Sequence, residues 1–469
     1  MTGLPPDSVT GAAVAPPSAR AESAWVLGQA TRDPYVILIA IYVFAPYYVT
    51  RVVGDPVLGQ TLVASANKWG GWVVMLTAPL LGASIDRIGP RKPWFAAVVA
   101  LMVLLIGSLW FTPPGGGLPT GAVIVIIAAI TALIAYHEML HNALLLPAAG
   151  MAGAARASGR ALAGGNAISV IMLVGVLFAF VLPGKLAVPW LPAAPLWGLD
   201  PALGEPDRIT TLIVAATMAL GALPLLRWVP DMQRTSLSLG AAVRAGAGDL
   251  ARLVREARGH RDPLIFLAAR MVYTDGLTAI LVFGGLYAAG SMRWATLEML
   301  GYGIILSVAA VIGGLLAGWL DTRIGPKLAV KLELLLLIVM QTLVLGMGRE
   351  RLFFRPWHGP PLWDGPMFTT LPEITFLALG CCLAIAVTAA YASSRTLLTR
   401  VAPPDKLGVF FGLYVLSGSA TMWLGPLLVE AATRWGGTQA WGMAPVVGML
   451  AAGLGLLMLV KGGGRMAHT

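Results

Sequence analysis

Along this chain, apolar residues gather in runs of about twenty, broken by short stretches of Gly, Pro and charge. A helix of that length rises about 30 Å, the thickness of a bilayer's hydrocarbon core. Twelve such runs lie near residues 34–53, 61–84, 93–112, 121–146, 163–183, 208–228, 263–289, 297–320, 328–348, 373–392, 408–433 and 440–461. Each is predicted to cross a membrane. Composition agrees: 57% of residues are hydrophobic and 12% charged, too few charges to cover a soluble surface of 469 residues.

The formal charge of +10 would point to nucleic acid in a soluble protein, but here the basic residues sit in the loops. There they set orientation and meet anionic lipid headgroups, so no nucleic-acid partner is expected. The loops with Arg87, Arg91, Lys92, Arg156, Arg160, Arg323, Lys327, Lys331 and Arg400 outweigh those with Arg51, Lys185, Arg208, Arg293, Arg349 and Arg434. The positive-inside bias places the first set, and both termini, in the cytoplasm. Residues 1–31 are Pro- and Ala-rich without the apolar stretch of a cleavable signal, and read as a disordered cytoplasmic tail. Residues 462–469 read as a second tail.

The two halves echo each other. Arg32-Asp33-Pro34 reads as the opening of span 1 and Arg261-Asp262-Pro263 as that of span 7. "LLGASIDRIGPRK" (Leu80 to Lys92) follows span 2, and "LLAGWLDTRIGPK" (Leu315 to Lys327) follows span 8. Such repetition predicts an all-α integral membrane fold of twelve helices in two pseudo-symmetric six-helix bundles, 32–228 and 263–461. In the connector, 229–262, the residues Leu237, Leu239, Val243, Leu250, Leu253 and Val254 recur at helical spacing among arginines. An amphipathic helix on the inner leaflet is expected there, with a solvated linker helix as the alternative.

In the first loop, Gly82 and Asp86 precede Arg87, the Gly89-Pro90 turn, Arg91 and Lys92. Gly-Pro reverses the chain tightly between two helices. Asp86 is placed to cap a helix or pair with an Arg in only one arrangement of the bundles, biasing a two-state equilibrium. A plain basic loop would explain one copy, yet the pattern returns at Asp321, Arg323, Gly325 and Lys327. This motif resembles the signature loop of the major facilitator superfamily. "RDPYVILIAIYVFAPYY", "HNALLLP", "VYTDGL", "SSRTLLTRVAPPDKLGVFFGLY" and "LGPLL" narrow the resemblance to its vacuole-effluxer-like branch, which holds fungal autophagy-related vacuolar amino-acid exporters and bacterial members of unassigned substrate. The resemblance implies a secondary transporter in a bacterial inner membrane, an exporter of small polar solutes such as amino acids, working as a monomer.

It also implies that spans 1, 4, 7 and 10 line a central cavity, and these carry the richest polar sets. Charge in hydrocarbon is costly unless paired or hydrated, so each is a candidate for function. Span 4 holds His137, Glu138, His141 and Asn142; span 7 holds Arg270, Tyr273 and Asp275; Tyr42 and Tyr391 lie in spans 1 and 10. Depth counting at 1.5 Å per residue puts Glu138 and Arg270 level, and an ion pair closing the inner half of the cavity is expected between them. Asp275 lies deeper and is the first choice for a coupling proton. Lys68 in span 2 is expected to snorkel to the outer surface.

His137-Glu138-x-x-His141 also spells the zinc-protease motif, with both histidines on one helix face. Catalysis by an intramembrane zinc protease is therefore one alternative, zinc transport or regulatory zinc a second, and a non-transporting scaffold a third. A protease has no need of two six-span halves, and the motif overlaps "HNALLLP". No enzyme activity, resident metal or cofactor is expected. Cys381 and Cys382 are adjacent and imply no disulfide framework.

Overall fold

Inside a bilayer every backbone N–H and C=O must be satisfied within its own segment, so the apolar runs fold as helices. The computed structural model describes residues 18–184, 191–231, 239–403 and 407–461. Its first seven helices are α1 (Ala19–Val52), α2 (Pro56–Ile88), α3 (Lys92–Phe111), α4 (Thr120–Ala143), α5 (Leu145–Val176), α6 (Glu205–Trp228) and α7 (Leu239–Ala257). The second seven are α8 (Arg261–Ser291), α9 (Thr296–Arg323), α10 (Pro326–Leu345), α11 (Leu371–Val401), α12 (Leu407–Ala420), α13 (Leu424–Gly436) and α14 (Gln439–Met458). Among the described residues, ten helices are long and apolar enough to cross a membrane. Of the remaining expected spans, α2 is a 33-residue helix, and 408–433 is realised as α12 and α13, broken at 421–423.

Helix pairing repeats between the halves. The pair α2 and α4 packs as α9 and α11 do, α3 and α6 as α10 and α14 do, and α1 and α6 as α8 and α14 do. Where the halves meet, α2 lies on α13, α1 on α8 and α5 on α9. Small residues allow the approach: Gly285 of α8 abuts the Ile41 carbonyl and Gly303 of α9 abuts Tyr42, with no room for a Cβ at either.

The N-terminal boundary differs from expectation. Helix α1 begins at Ala19, so the stretch 19–31 belongs to the first bundle and not to a tail; residues 1–17 and 462–469 lie outside the described residues. The polar residues that lowered the hydropathy of this stretch have protein partners. Glu22 accepts from Arg156 at 2.7 Å and Arg160 at 3.0 Å, while Ala21, Ala24, Trp25 and Gly28 pack inward. Arg32 therefore lies about 20 Å along α1, whereas Arg261 opens α8. The two Arg-Asp-Pro triplets are not structural equivalents.

The connector contains α7, which packs against the ends of α2 and α12. Of the apolar stripe expected on it, Val254 is exposed; Leu237 and the side chains of Leu239, Val243, Leu250 and Leu253 fall outside the described residues.

Candidate functional site

The two loop motifs mark one end of the molecule. Gly89 and Gly325 both adopt left-handed backbone (φ 104° and 85°), which only glycine takes without strain. Arg91 donates to the Ala143 carbonyl at 2.6 Å, and Lys92 Nζ to the Leu226 carbonyl at 3.0 Å. In the second half Lys327 Nζ donates to the Val460 carbonyl at 2.5 Å. Each basic residue thus neutralises the carbonyl end of a helix in its own bundle. These contacts tie the loop to its bundle and do not bridge the two. The side chains of Asp86 and Arg87, and Gly82, lie outside the described residues.

At the opposite, far end the bundles are joined by side chains. Lys68 of α2 meets Glu430 of α13 at 2.7 Å, with 13% and 8% of their side chains exposed, and Arg434 holds the other Glu430 oxygen at 2.9 Å. Lys68 does not snorkel outward, because a buried carboxylate on the facing bundle is within its reach. Gln60 donates to Thr433 Oγ1 at 3.0 Å and to the Gln439 carbonyl at 3.2 Å, and Gln439 donates back to the Pro56 carbonyl at 3.3 Å. Thr296 of α9 donates to Asp207 of α6 at 2.5 Å. Deeper in, Trp72 and Trp423 meet edge to face.

The expected pair of Glu138 and Arg270 does not form. Glu138 projects from α4 with 59% of its side chain exposed and pairs with Arg32 of the same bundle at 3.6 Å. Arg32 also meets Asp33 at 3.2 Å, and Gln29 donates to Asp33 at 2.9 Å. Arg270 is buried in the second bundle, where it donates to the Tyr414 carbonyl and to Ser417 Oγ, both at 2.8 Å, and lies over the Tyr414 ring. In this structure each of the two therefore has its partner within its own bundle. Asn142, one turn from Glu138, is likewise exposed.

Asp275 is buried in α8 with Oδ2 unpartnered among the described residues. Nearby, the Tyr391 hydroxyl lies 3.0 Å from Thr278 Oγ1, and Thr278 is exposed. Tyr273 faces away into its own bundle, its hydroxyl 2.7 Å from Ser394 and its ring against Gly453 of α14. Two cavities share Tyr42 as a wall. One, about 110 Å³, is lined by Tyr42, Asn166, Tyr302, Ser307, Gln341 and Thr388; the other, about 810 Å³ at the far end, by Arg51, Asp207 and Arg293 among others. In the first, Gln341 is buried with Nε2 unpartnered among the described residues.

His137 and His141 line neither of these two cavities. His141 stacks on Trp25 at 4.2 Å, its Nε2 lies 2.9 Å from the Trp25 carbonyl, and Trp25 Nε1 donates to the His141 carbonyl at 2.7 Å. His137 packs on Phe95. Glu138 leaves the helix on another side, so the three do not converge on one metal position, and no group of three metal-binding side chains occurs among the described residues. The pair is a structural clasp between α1, α3 and α4. His141→Ala is expected to lower unfolding stability by about 1–3 kcal/mol in a denaturant or thermal titration. Neither zinc nor EDTA should change the result.

Sequence reading missed Arg32, Asp33, Gln60, Gln341 and Glu430. A usable signal existed for the last: Lys68 and Glu430 are opposite charges set in otherwise apolar stretches.

Paired helix repeats, polar side chains within the membrane and a closure on one side define an integral membrane transporter of the major facilitator fold. The chain superposes on the nucleoside transporter NupG with a TM-score of 0.60 and 12% identity, over 94% of this chain and 98% of that one. This likeness shows the fold. By sequence the chain belongs to the family described as Vacuole effluxer Atg22 like, whose model matches residues 203–463. It is similar to Autophagy-related protein 22 of Pichia angusta, 26% identical over 195 residues, 41% of this chain and 32% of that protein. The counterpart from Kluyveromyces lactis is 23% identical over 239 residues, 48% and 45% of the two chains. The matched segments thus span less than half the length of these curated relatives. Family and fold are those of transporters, not enzymes.

Proposed function

We propose that this protein exports a small zwitterionic solute of the amino-acid class by alternating access, coupled to protons. The carrying observation is asymmetry: buried side chains lock the bundles together at the far end, while Glu138 and Asn142 are exposed in the half bearing the loop motifs. This asymmetry supports reading the structure as a state open toward the loop motifs. The excess of basic loop residues supports placing that side in the cytoplasm of a bacterial inner membrane, with both termini.

Arg32 and Glu138 offer a fixed cation and an accessible anion, matching a solute carboxylate and ammonium. The smaller cavity, aromatic and uncharged with an unpaired amide donor, suits the solute's side chain. Asp275 supplies a carboxyl that can take and release a proton, and the relatives' family description supports efflux.

Melting of the purified protein with panels of amino acids, peptides, sugars, nucleosides and metals tests the substrate class. Stabilisation by amino acids that is lost in Glu138→Gln supports it; stabilisation by uncharged solutes alone overturns it. The gate is tested separately in sealed vesicles carrying Thr388→Cys, with Cys381 and Cys382 replaced by Ser. Glu430→Gln should raise labelling by an impermeant maleimide from the far side several-fold, and the swap Lys68→Glu with Glu430→Lys should restore protection.

A further inference from the structure

A second buried carboxyl lies outside the site described above. Glu333, on α10, is 4% exposed. Its Oε1 accepts one hydrogen bond, from Ser393 Oγ of α11 at 3.0 Å, and its Oε2 has no partner among the described residues. A second carboxylate, Asp321 at the end of α9, bears on it and has a buried oxygen without a partner among the described residues.

Among the described residues, no cation compensates them in the set facing Glu333. From α9 comes Asp321 and from α11 Ser393; α14 carries no titratable residue, and Tyr273 of α8 is turned to Ser394. On α10 itself Lys327 reaches the Val460 carbonyl, and Lys331 sits two positions earlier, about 200° around the helix. An ionised carboxylate with a bare oxygen in a low-dielectric bundle is strongly disfavoured, and a second carboxylate nearby makes it more so. A proton on Glu333 removes both penalties. Counting from the shared Gly-Pro turn, the first half has Ala97 at the position of Glu333, so the arrangement belongs to the second bundle alone.

We propose that Glu333 carries an exchangeable proton in this state and that Asp321 is the neighbour that sets its affinity. Asp321 is half-buried and is the acidic residue of the second loop motif. The site goes beyond the solute pathway and does not depend on it.

Infrared titration of the protein in lipid, without solute or ion gradient, reads the site directly. The carbonyl band of a protonated carboxyl should vary with pH in the parent protein, and Glu333→Gln should delete that component. Asp321→Asn should retain the band and move its midpoint toward acid, because a neighbouring negative charge is gone. An unchanged band in Glu333→Gln overturns the proposal. If that variant fails to fold, an unmoved midpoint in Asp321→Asn does so. Stabilisation by sodium over potassium that is lost with Glu333 would also overturn it, assigning the site to a metal cation.

Discussion

Replacing Arg32 with glutamine is expected to abolish solute transport and to lower stability by about 3 kcal/mol, the range found when one partner of a buried ion pair is removed. Arg32 is 8% exposed on its side chain and faces two carboxylates, Asp33 and Glu138, at 3.2 and 3.6 Å. Without it the largely buried Asp33 retains, among the described residues, the amide of Gln29. Glu138, being open to solvent, loses little by itself, so most of the cost lies with Asp33. The double variant Arg32→Gln, Asp33→Asn separates the two roles. Its melting temperature should return toward that of the parent, since no uncompensated charge remains, while transport in proteoliposomes stays absent because the cation for the solute is missing. Recovery of transport in the double variant would show that Arg32 serves the fold alone.

The second large effect is expected at Asp275. With a gradient of one pH unit, each coupled proton sustains about a tenfold accumulation of solute. Asp275→Asn should collapse this to equilibration, while solute exchange with both sides at equal pH continues. The substitution keeps the shape of the side chain and removes the carboxyl that carries the proton. Accumulation driven by pH in proteoliposomes, set beside counterflow, distinguishes the outcomes. Equal loss of both would make Asp275 a structural or solute-binding residue and leave coupling to another carboxyl.

Much of the architecture was legible before any coordinates. Spans could be read because each helix must carry its own hydrophobicity across the bilayer, a property local to about twenty residues. The Gly-Pro loops could be read because a tight reversal needs glycine at a left-handed position, which Gly89 and Gly325 occupy. Where local polarity and burial part company, reading along the chain fails. The start of α1 was hidden by Glu22, Gln29, Thr31, Arg32 and Asp33, whose cost in the membrane is offset by partners on other helices for Glu22 and Arg32 and by partners within α1 for the rest. Glu138 and Arg270 stay apart in this structure for the same reason: each finds a partner in its own bundle, and no count of depth contains that information.

The sequence by itself determined that this chain lies in a membrane, that its halves repeat, which family it belongs to and which helices carry charge. Those properties follow from composition and spacing, which survive any arrangement of the helices. Only the tertiary structure decided which charges meet. It turned Lys68 from a surface anchor into half of an inter-bundle lock, His137 and His141 from candidate cavity residues into packing, and Arg32 from a boundary marker into the centre of the candidate site. The physical reason is that the energy of an ionisable group in a low-dielectric medium depends on the few ångströms around it, and those neighbours come from helices hundreds of residues apart.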